Sequence, residues 1–148
     1  MFLAILLSCA GSPPSKPGAE HGLLAPCPSS PNCVCSDSRG GQDAVAPLVL
    51  SVPPAEAWSE IRRVVAEMPR CQIVEATDDS LHAECRSALF RFVDDLEIQL
   101  RPGEGIAAVR SASRVGYSDL GVNRKRVESL RAQLVAGGVV RGEVSSAR

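Results

Sequence analysis

Beyond its first residues, the sequence has no apolar run near the roughly 20 residues that a membrane-spanning helix needs. Its formal net charge is −1, which supplies no polybasic field, so nucleic acid is not an expected partner. Cys-x-x-Cys pairs are also missing, which argues against thioredoxin-type chemistry, haem attachment and a zinc ribbon. We therefore predict no metal site and no cofactor.

Histidine is scarce, with only His21 and His82 in the chain. A serine or cysteine triad would have to use His82, and the segment 116–121, Gly-Tyr-Ser-Asp-Leu-Gly, does not match the Gly-x-Ser-x-Gly elbow of hydrolases. No catalytic residue is predicted, and a non-enzymatic role is favoured. The alternative is a hydrolase-like or redox enzyme that uses His82, with Glu84 or Asp95, or the cluster Cys27, Cys33 and Cys35.

The N-terminal apolar run ends in Leu6-Leu7-Ser8-Cys9, the pattern of a lipobox. Residues 1–9 are accordingly predicted as a lipoprotein signal peptide, and Cys9 as the lipidated cysteine that carries palmitate-type acyl chains into the membrane. The run is short and no Lys or Arg precedes it, so an ordinary apolar N-terminus is the alternative. Ala10 follows the cysteine rather than Asp, which favours the outer over the inner membrane of the cell envelope, with the domain facing the periplasm.

Composition divides the rest of the chain into three parts. Residues 10–26 are rich in Pro, Gly and Ser and are predicted as a tether. Residues 27–137 have the length of a single domain. Residues 138–148 have the small-residue character of a flexible tail.

Apolar periodicity predicts an α+β fold with the order β-α-β-β-β-β-α. Short turns at Thr77–Ser80 and Arg101–Gly105 favour an antiparallel meander, with both helices packed on one face of the sheet. Alternation over 81–86 and 95–100 describes strands with one dry and one wet face. The other predicted elements are strands at 48–52, 73–74 and 106–115, a helix over 54–68 that Pro54 opens, and a helix over about 123–136.

Cysteine use predicts two disulfides in an oxidising compartment. With the lipobox cysteine consumed by lipid, five thiols remain. Cys71 and Cys85 flank the 77–80 turn and can face each other across a hairpin, in a loop whose closure is worth about 3 kcal/mol. Cys27 can pair with Cys33 or with Cys35, whereas a bond between Cys33 and Cys35 is disfavoured by their similar direction in an extended segment.

The segment Arg110–Arg126 is the richest in polar groups and leads from the long strand into the last helix. Free backbone N–H groups at that helix start, with nearby arginines, could hold a phosphate or carboxylate. In the alternative interpretation, Asp119 and Asn123 are helix caps and the arginines pair with Glu84, Asp94, Asp95 and Glu97 across the sheet. The predicted ligand-binding residues are Arg86, Arg114, Ser118, Asp119, Asn123 and Arg124.

Four blocks carry a further signal: Cys-Pro-Ser-Ser-Pro-Asn-Cys-Val at 27–34, Leu-His-Ala-Glu at 81–84, Leu-Phe-Arg-Phe-Val-Asp-Asp at 89–95 and Ser-Arg-Val-Gly-Tyr-Ser-Asp-Leu-Gly-Val-Asn-Arg at 113–124. In this order they resemble the family of domain of unknown function 1499 (DUF1499). The resemblance implies a small extracytoplasmic or organellar domain, often behind a signal or lipid anchor, and supplies no catalytic residue. Departures from the family pattern at Cys71 and Cys85 are compatible with an added bridge, and the departure at Cys35 makes it the odd thiol.

The sequence thus predicts a bacterial envelope lipoprotein with a binding module rather than an enzyme. Its partners are expected to be the membrane, through the lipid, and either a small anionic ligand or an envelope protein, at the polar sheet face and the 113–126 segment.

Overall fold

The computed structural model describes residues 22–142. The lipobox with Cys9, most of the predicted tether and the end of the predicted tail lie outside the described residues. Within 22–142 no helix is both long and apolar enough to cross a membrane.

The predicted α+β class and element order are confirmed, with one additional strand. An antiparallel sheet of six strands and two helices make up the fold. The elements are β1 (Cys33–Cys35), β2 (Leu48–Val49), α1 (Pro54–Glu67), β3 (Cys71–Ala76), β4 (Ser80–Arg86), β5 (Val93–Arg101), a 3-10 turn (Pro102–Glu104), β6 (Ile106–Ser113) and α2 (Val122–Ala136).

The strands β3 to β6 form the predicted meander, and the sheet order is β1-β6-β5-β4-β3. The additional strand is β1, which pairs antiparallel with the far side of β6 and places Cys35 opposite Arg110. The expected strand at 48–52 is only the two-residue β2, which also pairs with β6. Pro53 and Pro54 limit it, because proline has no N–H to extend a ladder and is suited to the first turn of a helix.

Both helices pack on the same face of the sheet, here called the helix-packed face. The buried side of α1 includes Trp58, Ile61 and Val65, at the spacing of a helix stripe. These side chains join alternate residues of the central strands in one apolar core. Its fully buried large members include Leu48, Ile61, Leu81, Leu96, Ile98, Val109, Val127, Leu130 and Leu134.

The opposite face, here called the polar face, differs from the wet surface that alternation predicts. It carries the side chains of His82, Glu84, Asp95, Glu97, Gln99, Arg101, Arg110 and Arg114. Asp95 is only 3% exposed and Glu97 is fully buried. Leu24 folds back onto this face and packs with Cys35 and Ala108, and the ionic side chains cover one another.

Packed structure extends past both predicted boundaries of the 27–137 domain. Leu24 is buried on the polar face, and its N–H donates to the Asp37 carboxylate at 2.8 Å. After α2 the chain turns back, Val139 and Val140 are buried in the main core, and Val140 bridges to Leu50. The first residues of the predicted tail are therefore packed against the domain, because Val139 and Val140 are buried in its core.

Candidate functional site

Arg114 is the centre of a hydrogen-bonded network on the polar face. Its Nε and Nη2 donate to the two oxygens of Asp95, each at 2.8 Å, in the bidentate geometry of a strong guanidinium–carboxylate pair. Nη2 also donates to Glu84 at 2.7 Å. His82 Nε2 lies 2.7 Å from Asp95 Oδ1. Arg114 is thus occupied by two carboxylates rather than free for a ligand.

The network shifts the pKa values of His82 and Asp95 in opposite directions. The hydrogen bond to Asp95 raises the pKa of His82 above its usual range, although burial acts against the charged form. Burial opposes ionisation of Asp95, but the hydrogen bonds from Arg114 and His82 outweigh it and lower the pKa of Asp95. The histidine and the carboxylate therefore stabilise each other's charged forms through their hydrogen bond.

Glu97 and Arg110 form a second, deeper pair. Arg110 Nη1 donates to Glu97 Oε2 at 2.8 Å across β5 and β6. Glu97 Oε1 and Arg110 Nε are buried without a hydrogen-bond partner among the described residues. Burial raises the pKa of Glu97 even though the guanidinium of Arg110 favours its ionised form. This pair is costly to desolvate and is held by a single direct hydrogen bond.

The turn before α2 satisfies its own backbone donors. Asp119 accepts from the N–H of Gly121 at 2.9 Å and from the N–H of Asn123 at 3.0 Å. Burial opposes ionisation of Asp119, but these hydrogen bonds lower its pKa. Asp119 thus caps the helix from two residues before Gly121 and takes the position in which an anionic ligand was expected. Asn123 is fully buried, and its amide donates to Asn32 O and Ser113 Oγ.

Beside this turn lies a groove of about 520 Å³, here called the disulfide-loop groove. The 28–31 loop, which the Cys27–Cys33 bond closes, forms one wall. The turn at 118–121 and Arg124 form the opposite wall, and Gln42 and Asp43 complete the lining.

Three contacts hold the walls of the groove together. Asn32 Nδ2 donates to Gly116 O at 2.7 Å, which joins the disulfide loop to the turn. Arg124 Nη2 donates to the carbonyls of Gln42 and Ala44, which joins α2 to the third wall. The groove is therefore preformed.

The two predicted disulfides are present and lie on opposite faces. Cys71 pairs with Cys85 beside the apolar core, as expected for residues opposite each other in the β3–β4 ladder. Of the two partners left open for Cys27, the bond is to Cys33. Cys35 is a free thiol, fully buried, and burial raises its pKa, which disfavours the reactive thiolate.

Comparison with known proteins now supplies the family. A family model described as "Protein of unknown function (DUF1499)" matches residues 23–134. The chain belongs to the DUF1499 family. This confirms the resemblance seen in the sequence, and the match covers both disulfides, the polar face and the disulfide-loop groove. The comparison with curated proteins found no match. The family description carries no activity that could be transferred to the site.

The six predicted ligand-binding residues of this DUF1499 domain do not come together. Arg86 and Arg114 lie on the polar face, and Arg86 is 3.9 Å from Glu84. Ser118, Asp119 and Arg124 line the disulfide-loop groove, while Asn123 is buried behind it. The ion pairs are those of the alternative interpretation: Arg110 with Glu97, Arg114 with Glu84 and Asp95, and Arg126 with Asp94.

Sequence reasoning found Ser118, Asp119 and Arg124 but missed other residues that build the groove, namely Asn32, Gln42 and Asp43. Asn32 lies inside the 27–34 block that carries the family resemblance, and its bridging role is visible only from its burial and its hydrogen bond to Gly116. Gln42 and Asp43 belong to no recognisable sequence motif. They line the groove only because the fold places them opposite the 118–121 turn. Within residues 22–142 no group of three or more His, Cys, Asp or Glu side chains is arranged to hold a metal ion.

Proposed function

We propose that this DUF1499 protein is a lipid-anchored envelope protein whose domain binds a segment of a protein partner in the disulfide-loop groove. The two disulfides support a compartment outside the cytoplasm, because such bonds persist in oxidising surroundings. Leu6–Cys9 supports the anchor, since it has the lipobox pattern.

The groove with its preformed walls is the observation that carries this proposal. Its volume lies within the range of ligand-binding clefts, and its walls are fixed by a disulfide and by half-buried hydrogen bonds. A wall that is already ordered loses little conformational entropy when a ligand binds. A preformed cleft of this size suits the recognition of a ligand.

The charges of the groove and the apolar side chains next to it favour a polypeptide over a small anion. The lining carries the carboxylates of Asp43 and Asp119 against the single guanidinium of Arg124, which already donates to backbone carbonyls. An anion would meet net negative charge there. Tyr117, which precedes the 118–121 turn, and Leu120 within it do not line the groove but lie next to its wall, and they are 76% and 86% exposed. Exposed aromatic and aliphatic side chains beside a polar cleft are typical of the core of a protein interface.

Peptide display tests the proposal. The full chain, with Cys9→Ser to exclude acylation, is immobilised and panned against a random peptide library. We expect selected peptides to bind about tenfold or more weaker to Gln42→Trp, because the indole fills the groove. The matched control is Arg62→Trp on the exposed side of α1, which should bind the peptides as the parent chain does. Equal binding to Gln42→Trp and the parent chain would overturn the assignment of the groove.

A second measurement separates the two ligand classes. Titration calorimetry with inorganic phosphate should show no saturable binding to the parent chain. Saturable phosphate binding that Arg124→Gln removes would replace the polypeptide with a small anion as the ligand.

The anchor is tested by metabolic labelling with palmitate, which Cys9→Ser should abolish; an unlabelled parent chain would contradict the lipoprotein assignment.

A further inference from the structure

The loop between β4 and β5 presents a concentrated apolar surface that the groove does not explain. Leu89, Phe90 and Phe92 are 80%, 70% and 50% exposed. We call these three side chains the apolar tip. Two of the three phenylalanines of the chain therefore lie on the surface, whereas Trp58 is buried in the core. Adjacent exposed large apolar residues indicate an interaction surface rather than a packing accident.

The tip is held in its protruding shape by local structure. The N–H of Ser87 donates to Phe92 O, and the N–H of Phe92 donates to Ser87 Oγ, both at 2.9 Å, which close the loop at its base. Arg91 has a left-handed backbone with φ 55°, which is unfavourable for a residue with a Cβ. This turn brings the rings of Phe90 and Phe92 together, with centroids 5.6 Å apart. The two rings thus form one convex wedge.

Positively charged side chains lie in the loop and at its base. Arg70, Arg86 and Arg91 are exposed at this end of the sheet. Backbone N–H of Arg86 donates to Arg70 O, and Arg70 Nε donates back to Arg86 O, which keeps these two arginines side by side. The loop 87–92 contains no acidic residue, and the carboxylate near Arg86, that of Glu84, is 3.9 Å away and bound to Arg114.

We propose that the apolar tip inserts into the interface of an anionic lipid bilayer, with Arg70, Arg86 and Arg91 against the lipid phosphates. A convex apolar wedge with cations beside it fits a deformable apolar medium with negative headgroups, whereas a protein partner would have to offer a matching concave pocket. The tip joins β4 to β5, while the disulfide-loop groove lies beside β1 on the other side of β6, so this is a second surface. The tip adds a second membrane contact to that of the proposed acyl anchor.

Vesicle sedimentation tests this inference without the acyl chain. The full chain with Cys9→Ser is mixed with vesicles of equal parts phosphatidylcholine and phosphatidylglycerol, and with pure phosphatidylcholine. We expect binding to the anionic vesicles that falls about tenfold or more in Phe90→Ser/Phe92→Ser, because both rings leave the bilayer. Arg70→Gln and Arg91→Gln should each weaken binding about fivefold at low salt.

The matched control is Val74→Ser, which removes an apolar side chain of 48% exposure from β3, outside the tip. It should bind vesicles as the parent chain does, and the melting temperatures of all variants should agree. Failure of the parent chain to bind the anionic vesicles, or equal binding by the Phe90→Ser/Phe92→Ser variant, would overturn the proposal. So would self-association of the parent chain in analytical ultracentrifugation that the double variant abolishes without any vesicle binding, because the tip would then be an interface between copies.

Discussion

The two faces of the sheet bury neighbouring residues of one strand by different means. On β5, Ile98 points into the helix-packed face among aliphatic side chains, while Glu97 points into the polar face toward Arg110. Both side chains are fully buried. Apolar packing is non-directional and spreads its free energy over many contacts, whereas a buried ion pair depends on one partner at one position.

This difference determines how each face responds to substitution. Loss of a methyl group in the core costs transfer free energy and leaves a small void, which neighbouring side chains partly fill. Loss of a charge on the polar face leaves its partner buried and unpaired, and no movement of an aliphatic neighbour can compensate. The polar face is therefore expected to be the more sensitive one, although it contributes less net stability per residue buried.

The largest expected effect is that of Arg110→Met. Removal of the guanidinium leaves Glu97 fully buried without its partner, and we expect a loss of about 3–5 kcal/mol in the free energy of unfolding at neutral pH. The loss should shrink as the pH falls, because burial raises the pKa of Glu97 and the protonated carboxyl is neutral. Urea denaturation of the full chain at two pH values measures both effects.

The matched double variant Glu97→Leu/Arg110→Met removes both charges, so it tests whether the instability of Arg110→Met comes from the unpaired carboxylate of Glu97. It should be about as stable as the parent chain, or more stable, because neither charge remains to be buried. A loss under about 1 kcal/mol for the single variant would show that water reaches the pair and that the two faces do not differ as described.

Local pattern predicted the elements of the meander because each is decided by its own residues. Alternation over 81–86 and 95–100 follows the period of a strand, and Pro54 with Trp58, Ile61 and Val65 follows that of a helix. β1 was not predicted, because three residues inside a proline-rich segment become a strand only through pairing with β6. The register that sets Glu97 opposite Arg110 is likewise a property of two strands together.

The sites were less predictable than the fold for the same reason. Sequence offered two interpretations of the arginines of 110–126, and strand alternation alone could not choose between a ligand and a neighbouring carboxylate. Burial of the polar face depends on Leu24, which lies in the segment whose composition describes a tether. The disulfide-loop groove depends on Asn32 and Gln42, which come together with Arg124 only in three dimensions.

An intermediate effect is expected for Ile98→Val on the helix-packed face. The variant removes one methylene from a fully buried side chain and should cost about 0.5–1.5 kcal/mol, at any pH between mildly acidic and alkaline. Urea denaturation of this variant and of Arg110→Met compares the loss of free energy of unfolding on the two faces of the sheet. An effect as large as that of Arg110→Met would mean that the core is as intolerant as the ion pair, and the contrast between the faces would fail.

The smallest effect is expected for His82→Gln, and it is confined to one pH range. The folded pKa of His82 is raised by Asp95, so its stabilising contribution is fully present below about pH 6.5 and is lost as the pH rises through the folded pKa. The effect is small because a neutral imidazole can still donate to Asp95. The carboxylates and Arg114 are common to both proteins, so the difference between their melting temperatures reports His82. The difference in melting temperature should narrow from mildly acidic to alkaline pH. A difference that stays constant with pH would show that protonation of His82 does not stabilise its pair with Asp95.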